Sequence, residues 1–278
     1  MKKLNTYISE KLKIRKSNKP SYKYFPKSKE ELKDIINQLI DERGNDGDFN
    51  DIDTSNITDM SELFRNMYEF NGDISNWDVH NVKDMDSMFY GCESFNQDIS
   101  NWDVSNVTNT HSMFFKCESF NQDISYWNVS NVTNMMWMFN GCKLFNKPLK
   151  NWDVSNVTDM YGMFRECESF NQDISNWNVS NVTDMSDMFD KCHKFNHPLN
   201  NWDVSNVTDM GYMFDTCKSF NQDISNWNVS NVTDMGGMFI GCESFNQDIS
   251  NWDVSKVKHN ENMFMFCPIE EKYKPKFN

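Results

Sequence analysis

Residues 151–200 read NWDVSNVTDMYGMFRECESFNQDIS (151–175) followed by NWNVSNVTDMSDMFDKCHKFNHPLN (176–200). The second stretch repeats the first at a period of 25 residues, and the same register runs without gaps from residue 51 to residue 267. Counted from residue 51, Phe stands at position 14 nine times, from Phe64 to Phe264. Trp stands at position 2 eight times, from Trp77 through Trp102 and Trp152 to Trp252, with Trp137 the only Trp outside that column. All eight Cys fall at position 17, among them Cys117, Cys142 and Cys167. So strict a register gives every repeat the same environment, which a stack of like on like provides.

Within one unit the apolar residues are Trp77, Val79, Val82, Met85, Met88, Phe89, Cys92, Phe95 and Ile99. That spacing matches neither a 25-residue helix nor a single strand. It fits a coil with several short sides, each sending one or two side chains inward. Met185, Met188, Phe189 and Cys192 lie at i, i+3, i+4 and i+7, so the segment Ser186–Cys192 is expected to form one or two helical turns. The segment 195–202 is expected to be the parallel strand, with a second extended piece over Val-Thr-Asp-Met. The expected fold class is therefore an α/β repeat solenoid. One coil cannot bury its own inward face, so its neighbours complete the core.

Two Asn columns suit such stacking. One includes Asn96, Asn121, Asn171 and Asn221; the other runs from Asn56 to Asn231. An Asn amide both donates and accepts, so it can bond the backbone of the next coil at a turn. Outward on the expected strand lie Asp98 and Ser100, Asp123 and Ser125, Asp173 and Ser175, Asp223 and Ser225, and Asp248 and Ser250. They form a repetitive polar face and are the candidate contact residues.

The unit FNQDISNWDVSNVTDM followed by MF-x-x-C resembles the 25-residue repeat of BspA-like leucine-rich-repeat surface proteins, of the mycoplasma lipoprotein type, over residues 51–267. The resemblance implies a leucine-rich-repeat-like solenoid with a role in adhesion or protein binding on bacterial surfaces, and it brings no enzymatic motif. Similar arrays occur in proteins encoded by phages and large viruses.

Residues 1–27 carry nine Lys or Arg and one Glu, which leaves −22 for the rest of a chain whose formal net charge is −14. This basic arm, with apolar Leu4, Tyr7, Ile8 and Leu12 at helical spacing, precedes a lead-in over residues 28–50. There Ser28 and Glu31 form a capping box, Leu32, Ile35, Ile36, Leu39 and Ile40 follow at helical spacing, and Gly44 closes. A capping helix over about residues 29–43 is expected to shield the first coil. Residues 268–278 form a short terminal tail.

An acidic body lacks the positive charge that phosphate contacts require, so the repeats do not suit nucleic acid. No apolar run reaches the ~20 residues of a membrane helix. No signal peptide or anchor is evident, which favours a cytoplasmic or virion-associated protein over one exported to the surface. The Cys residues recur every 25 residues without C-x-x-C, which reads as a column of buried thiols rather than a metal site. Cys192, His193 and His197 are close in sequence, but the His positions vary between repeats. The Asp column lacks the Gly-rich calcium motif, and capping or turn bonding explains it. No cofactor or metal is expected. A monomeric, non-enzymatic module that binds a protein partner is the leading expectation. A structural or virion-associated role through the basic arm and a glycan-binding module are the alternatives.

Overall fold

The computed structural model describes residues 21–277. The amphipathic stretch expected around Leu4–Leu12 lies outside the described residues. The only α-helix among them is α1 (Lys29–Arg43). The Ser28 side chain accepts the Glu31 N–H, and the Gly44 N–H donates to the Ile40 carbonyl at 2.8 Å. Glu31 reaches back one residue further than a capping box requires, accepting the Lys27 N–H at 2.8 Å. Leu32, Ile36 and Leu39 on its inner face are fully buried.

From residue 51 the chain forms successive 25-residue coils, numbered 1 to 9, that lie over one another. Equivalent positions meet directly, as in the parallel bridges Asp159↔Asp184 and Asp184↔Asp209. Neighbouring rings of the position-14 Phe column sit 5.2–5.9 Å apart and nearly parallel, from Phe64–Phe89 to Phe239–Phe264. Inside each coil that Phe packs on the Phe at position 20, for example Phe164 on Phe170 at 4.2 Å. Trp, Val, Met and Cys complete one continuous core that also takes in the inner face of α1.

Two features differ from the sequence expectation. The segment 195–202 makes no bridge; pairing between coils runs through one residue per coil at position 9, such as Asp184, and coil 1 pairs besides with the chain before it at Tyr24↔Ile52 and Asp48↔Asp73. The segment Ser186–Cys192 is not helical. It is a chain of β-turns, with Met188 N–H on Met185 O, Asp190 N–H on Asp187 O and Cys192 N–H on Phe189 O. Asp187 and Lys191 adopt positive φ (55° and 58°), and all nine coils do so at positions 12 and 16. A left-handed third residue marks a type II turn. The physical reason is the destination of the backbone N–H groups. A helix spends them within itself, whereas here every second one bonds the next coil, as in Asp187 N–H to Gly211 O at 2.8 Å and Phe189 N–H to Met213 O at 2.9 Å. The apolar spacing i, i+3, i+4, i+7 is satisfied equally by this turn chain.

Candidate functional site

Three columns lock coil to coil and leave little outward chemistry. Each column Trp donates its Nε1–H to the carbonyl 28 residues earlier in the chain, reaching across the stack; Trp102 bonds Ile74 O at 3.2 Å and Trp152 bonds Ile124 O at 3.0 Å. At 3–5% exposure these indoles are closed to a sugar ring. The Cys117, Cys142 and Cys167 thiols each donate to a Phe carbonyl of the coil before at 3.0 Å. Burial pushes these thiols well above their ordinary pKa, and that of Cys92 up to about 12. The Asn96, Asn121, Asn171 and Asn221 backbone N–H groups bond the Asn Oδ1 one coil earlier at 2.9–3.0 Å.

The Asp and Ser residues of positions 23 and 25 run along the surface without converging on a pocket. In each pair one Asp oxygen accepts the Ser N–H: Asp98–Ser100 and Asp223–Ser225 at 2.9 Å, Asp123–Ser125 at 3.0 Å, Asp173–Ser175 and Asp248–Ser250 at 3.1 Å. These are Asx turns, which shape the chain locally. The bond to the Ser hydroxyl and N–H holds the Asp123, Asp173 and Asp248 carboxyls below their ordinary pKa. Among the described residues, no group of three or more His, Cys, Asp or Glu is placed to hold a metal ion.

A different face carries the variation between coils. The turn chain aligns positions 11, 12, 15 and 16 along one face, whose side chains range from buried (Ser87, Ser112, Asn140, Asp190) through half-buried (Tyr90, Trp137, Tyr161) to exposed (Lys116, Tyr212). Position 15 runs Arg65, Tyr90, Phe115, Asn140, Arg165, Asp190, Asp215, Ile240, Met265, while positions 6, 14 and 21 scarcely change. Over coils 2 to 5 this face is aromatic. Tyr90 stacks on Phe115 at 4.4 Å, Trp137 lies 5.3 Å from Tyr161 and 5.9 Å from His111, and Arg65 covers Tyr90 at 4.2 Å.

Over coils 6 and 7 the face turns acidic, with Asp187, Asp190 and Asp215. Tyr161, Asp184, Asp187, Asp209, Tyr212 and Asp234 border a shallow recess of about 250 Å³. Arg165 bridges Asp187 (3.1 Å) and Asp190 (3.0 Å). Asp190 is 2% exposed and one of its oxygens has no partner. Burial, only partly offset by Arg165, raises its pKa to about 7. Burial likewise raises Asp159, Asp187 and Asp209. Of this face the sequence singles out Trp137 alone, as the Trp outside its column; the signal that finds the rest is the column-by-column spread of residue types within the repeat itself.

The molecule is thus a tandem-repeat protein whose coils differ along the turn face. The chain belongs to the family described as Mycoplasma protein of unknown function, DUF285, whose model matches residues 32–143, 123–214 and 197–271. No curated protein matches the sequence. Among solved structures, the chain is similar to the leucine-rich-repeat protein in the crystal structure of a TLR13–ssRNA13 complex, at 8% identity, TM-score 0.30, covering 79% of this chain and 37% of the other. It is also similar to the plant peptide hormone receptor RGFR1 in complex with RGF2, at 12% identity, TM-score 0.13, covering 77% of this chain and 50% of that one. The chain therefore spans half or less of the length of these neighbours. No described helix is long and apolar enough to cross a membrane.

Proposed function

We propose that this chain is a non-enzymatic protein-interaction or adhesion module, a leucine-rich-repeat-like solenoid whose partner is read by the turn face. One observation carries the reading. The columns that hold the coils together scarcely vary, and the outward side chains of positions 11, 12, 15 and 16 differ from coil to coil. A uniform surface offers every register equally to a partner; a surface with an aromatic half and an acidic half fixes one. Tyr, Trp and Arg, the types that dominate binding hot spots, gather at Tyr90, Trp137, Tyr161 and Arg65. The matching partner is a protein with an apolar patch beside a basic one. A glycan is disfavoured because the Trp column is buried.

Capture of partners by the tagged full chain, identified by mass spectrometry, tests this. Tyr90→Ala with Tyr161→Ala should abolish capture while the thermal transition stays cooperative. Asp173→Ala with Ser175→Ala, on the Asx-turn face, should leave capture intact. The opposite pattern would move the contact to the Asp/Ser face.

A further inference from the structure

The backbone ladder along the turn chain has one direction. The N–H groups at positions 10, 12, 14 and 16 of each coil donate to carbonyls of the next. The series runs from Met60 to Asp84, Glu62 to Asp86, Phe64 to Met88 and Asn66 to Tyr90 at the first junction, through to Gly241 on Met265 at the last. In coil 9 the equivalent N–H groups belong to Asn260, Asn262, Phe264 and Phe266. None of them has an acceptor among the described residues.

The rest of this end is covered by the C-terminal tail. The Ile249 N–H bonds Tyr273 O at 3.0 Å, the Glu270 N–H bonds Asn246 Oδ1 at 3.0 Å, and Ile269 is 5% exposed. Over three of the four donors the tail instead leaves a recess of about 810 Å³, bordered by Asn260, Asn262, Phe264, Glu271, Lys272, Lys274 and Lys276. Phe266 beside it is 76% exposed.

Geometry rules out a second copy as the occupant. The same end of another molecule would set N–H against N–H. Head-to-tail stacking needs the carbonyls of coil 1, and α1 runs along that segment. Lys29 reaches Asp59 and Ser61 at one end of the helix, and Asn37 and Ile40 share a recess with Met67 and Tyr68 at the other.

What fits is a strand-like segment of a different protein that supplies carbonyls at every second residue, continuing the ladder as in β-augmentation. Its charge is set by the rim. Four unpaired N–H groups carry partial positive charge, and such rows bind anions. Lys272, Lys274 and Lys276 line the recess against Glu271 alone; Lys272 pairs with Glu270 at 2.8 Å and Lys274 with Glu271, so the rim keeps a net positive charge on a body that is otherwise strongly acidic. We infer that the C-terminal end of the array is a docking edge for an acidic peptide segment of a partner protein, held by the N–H groups of Asn260, Asn262, Phe264 and Phe266. This edge is the backbone end of the turn chain and stands whether or not the side chains of the turn face bind.

A suitable probe is the nine-residue peptide of residues 184–192, with Cys192 replaced by Ser. In the chain this segment offers the carbonyls of Asp184, Ser186, Met188 and Asp190 to the preceding coil, and it carries three Asp against one Lys. Added to the full chain, the peptide should slow amide hydrogen exchange across residues 260–266 and leave residues 235–241 unchanged. A scrambled peptide should protect neither. Lys272→Glu with Lys276→Glu, both at the surface, should weaken binding by about tenfold. Three results would overturn the inference: no protection at saturating peptide, equal binding to the charge-reversed variant, or slow exchange at 260–266 in the chain alone.

Discussion

Lys116 holds a φ of 56° at position 16, where Gly91, Gly141 and Gly241 stand in other coils. A side chain in the left-handed region costs roughly 1–2 kcal/mol, partly offset by the smaller entropy it loses on folding. Lys116→Gly should therefore stabilise the protein by about 0.5–1 kcal/mol, read from the denaturant midpoint at unchanged m. Gly162→Ala should do the reverse. Its φ is +56°, and an added Cβ would stand 2.5 Å from Cδ1 of Trp137 one coil earlier. Tyr212 and Gly237 repeat the arrangement, since the Gly237 Cβ would meet the Tyr212 ring at 2.5 Å. A bulky ring at position 12 thus dictates glycine at the same place in the next coil. Asp190 gives a pH prediction. Its pKa is raised to about 7 in the folded protein, against an ordinary 3.8. Between those values the folded state holds a proton that the unfolded chain has released, so stability falls as pH rises through about 7. Asp190→Asn removes that loss. The melting temperature of the variant relative to the parent should rise between pH 5 and pH 8, and a difference independent of pH would refute the assignment.

At the scale of elements, α1 was legible in the sequence and the turn chain was not. Ser28, the Leu32–Ile40 periodicity and Gly44 each mark a helix by a local rule, and the helix spans Lys29–Arg43. Because it is the lid of coil 1, Ile36→Ala should cost about 2–5 kcal/mol. Hydrogen exchange should rise first at residues 57–64, which it covers, before coil 5 responds. The segment 186–192 misled because apolar spacing reports which side chains face inward, not how the backbone spends its hydrogen bonds. The glycines at positions 12 and 16 were the missed signal. Gly91, Gly141, Gly162, Gly237 and Gly241 hold half of the ten glycines in the chain, and all five carry positive φ.

For the whole molecule, the inward columns of Trp, Phe, Met and Cys were readable because a single register fixes them together. The candidate contact surface was harder to read. Repetition drew attention to Asp173 and Ser175, yet repetition equally marks what each coil needs in order to fold, here an Asx turn. In the proposed reading, recognition rests on differences between coils, and those of the turn face lie in columns that look irregular when the chain is read along its length. The two ends also differ: one lies beneath α1, while the other keeps a row of donors open beside Lys272 and Lys276.

The sulfur column has a practical consequence. Each coil from 2 to 9 owns one thiol; those of coils 2 to 8 are buried, while Cys267 is only partly so. A stack whose neighbours support one another should fray from its ends inward. Pulsed alkylation followed by mapping of the labelled residues should then record the opening of the molecule one rung at a time. Cys267 should react first, and Cys142 and Cys167 near the middle last. Simultaneous labelling of all eight would mean that the array melts as a single cooperative block.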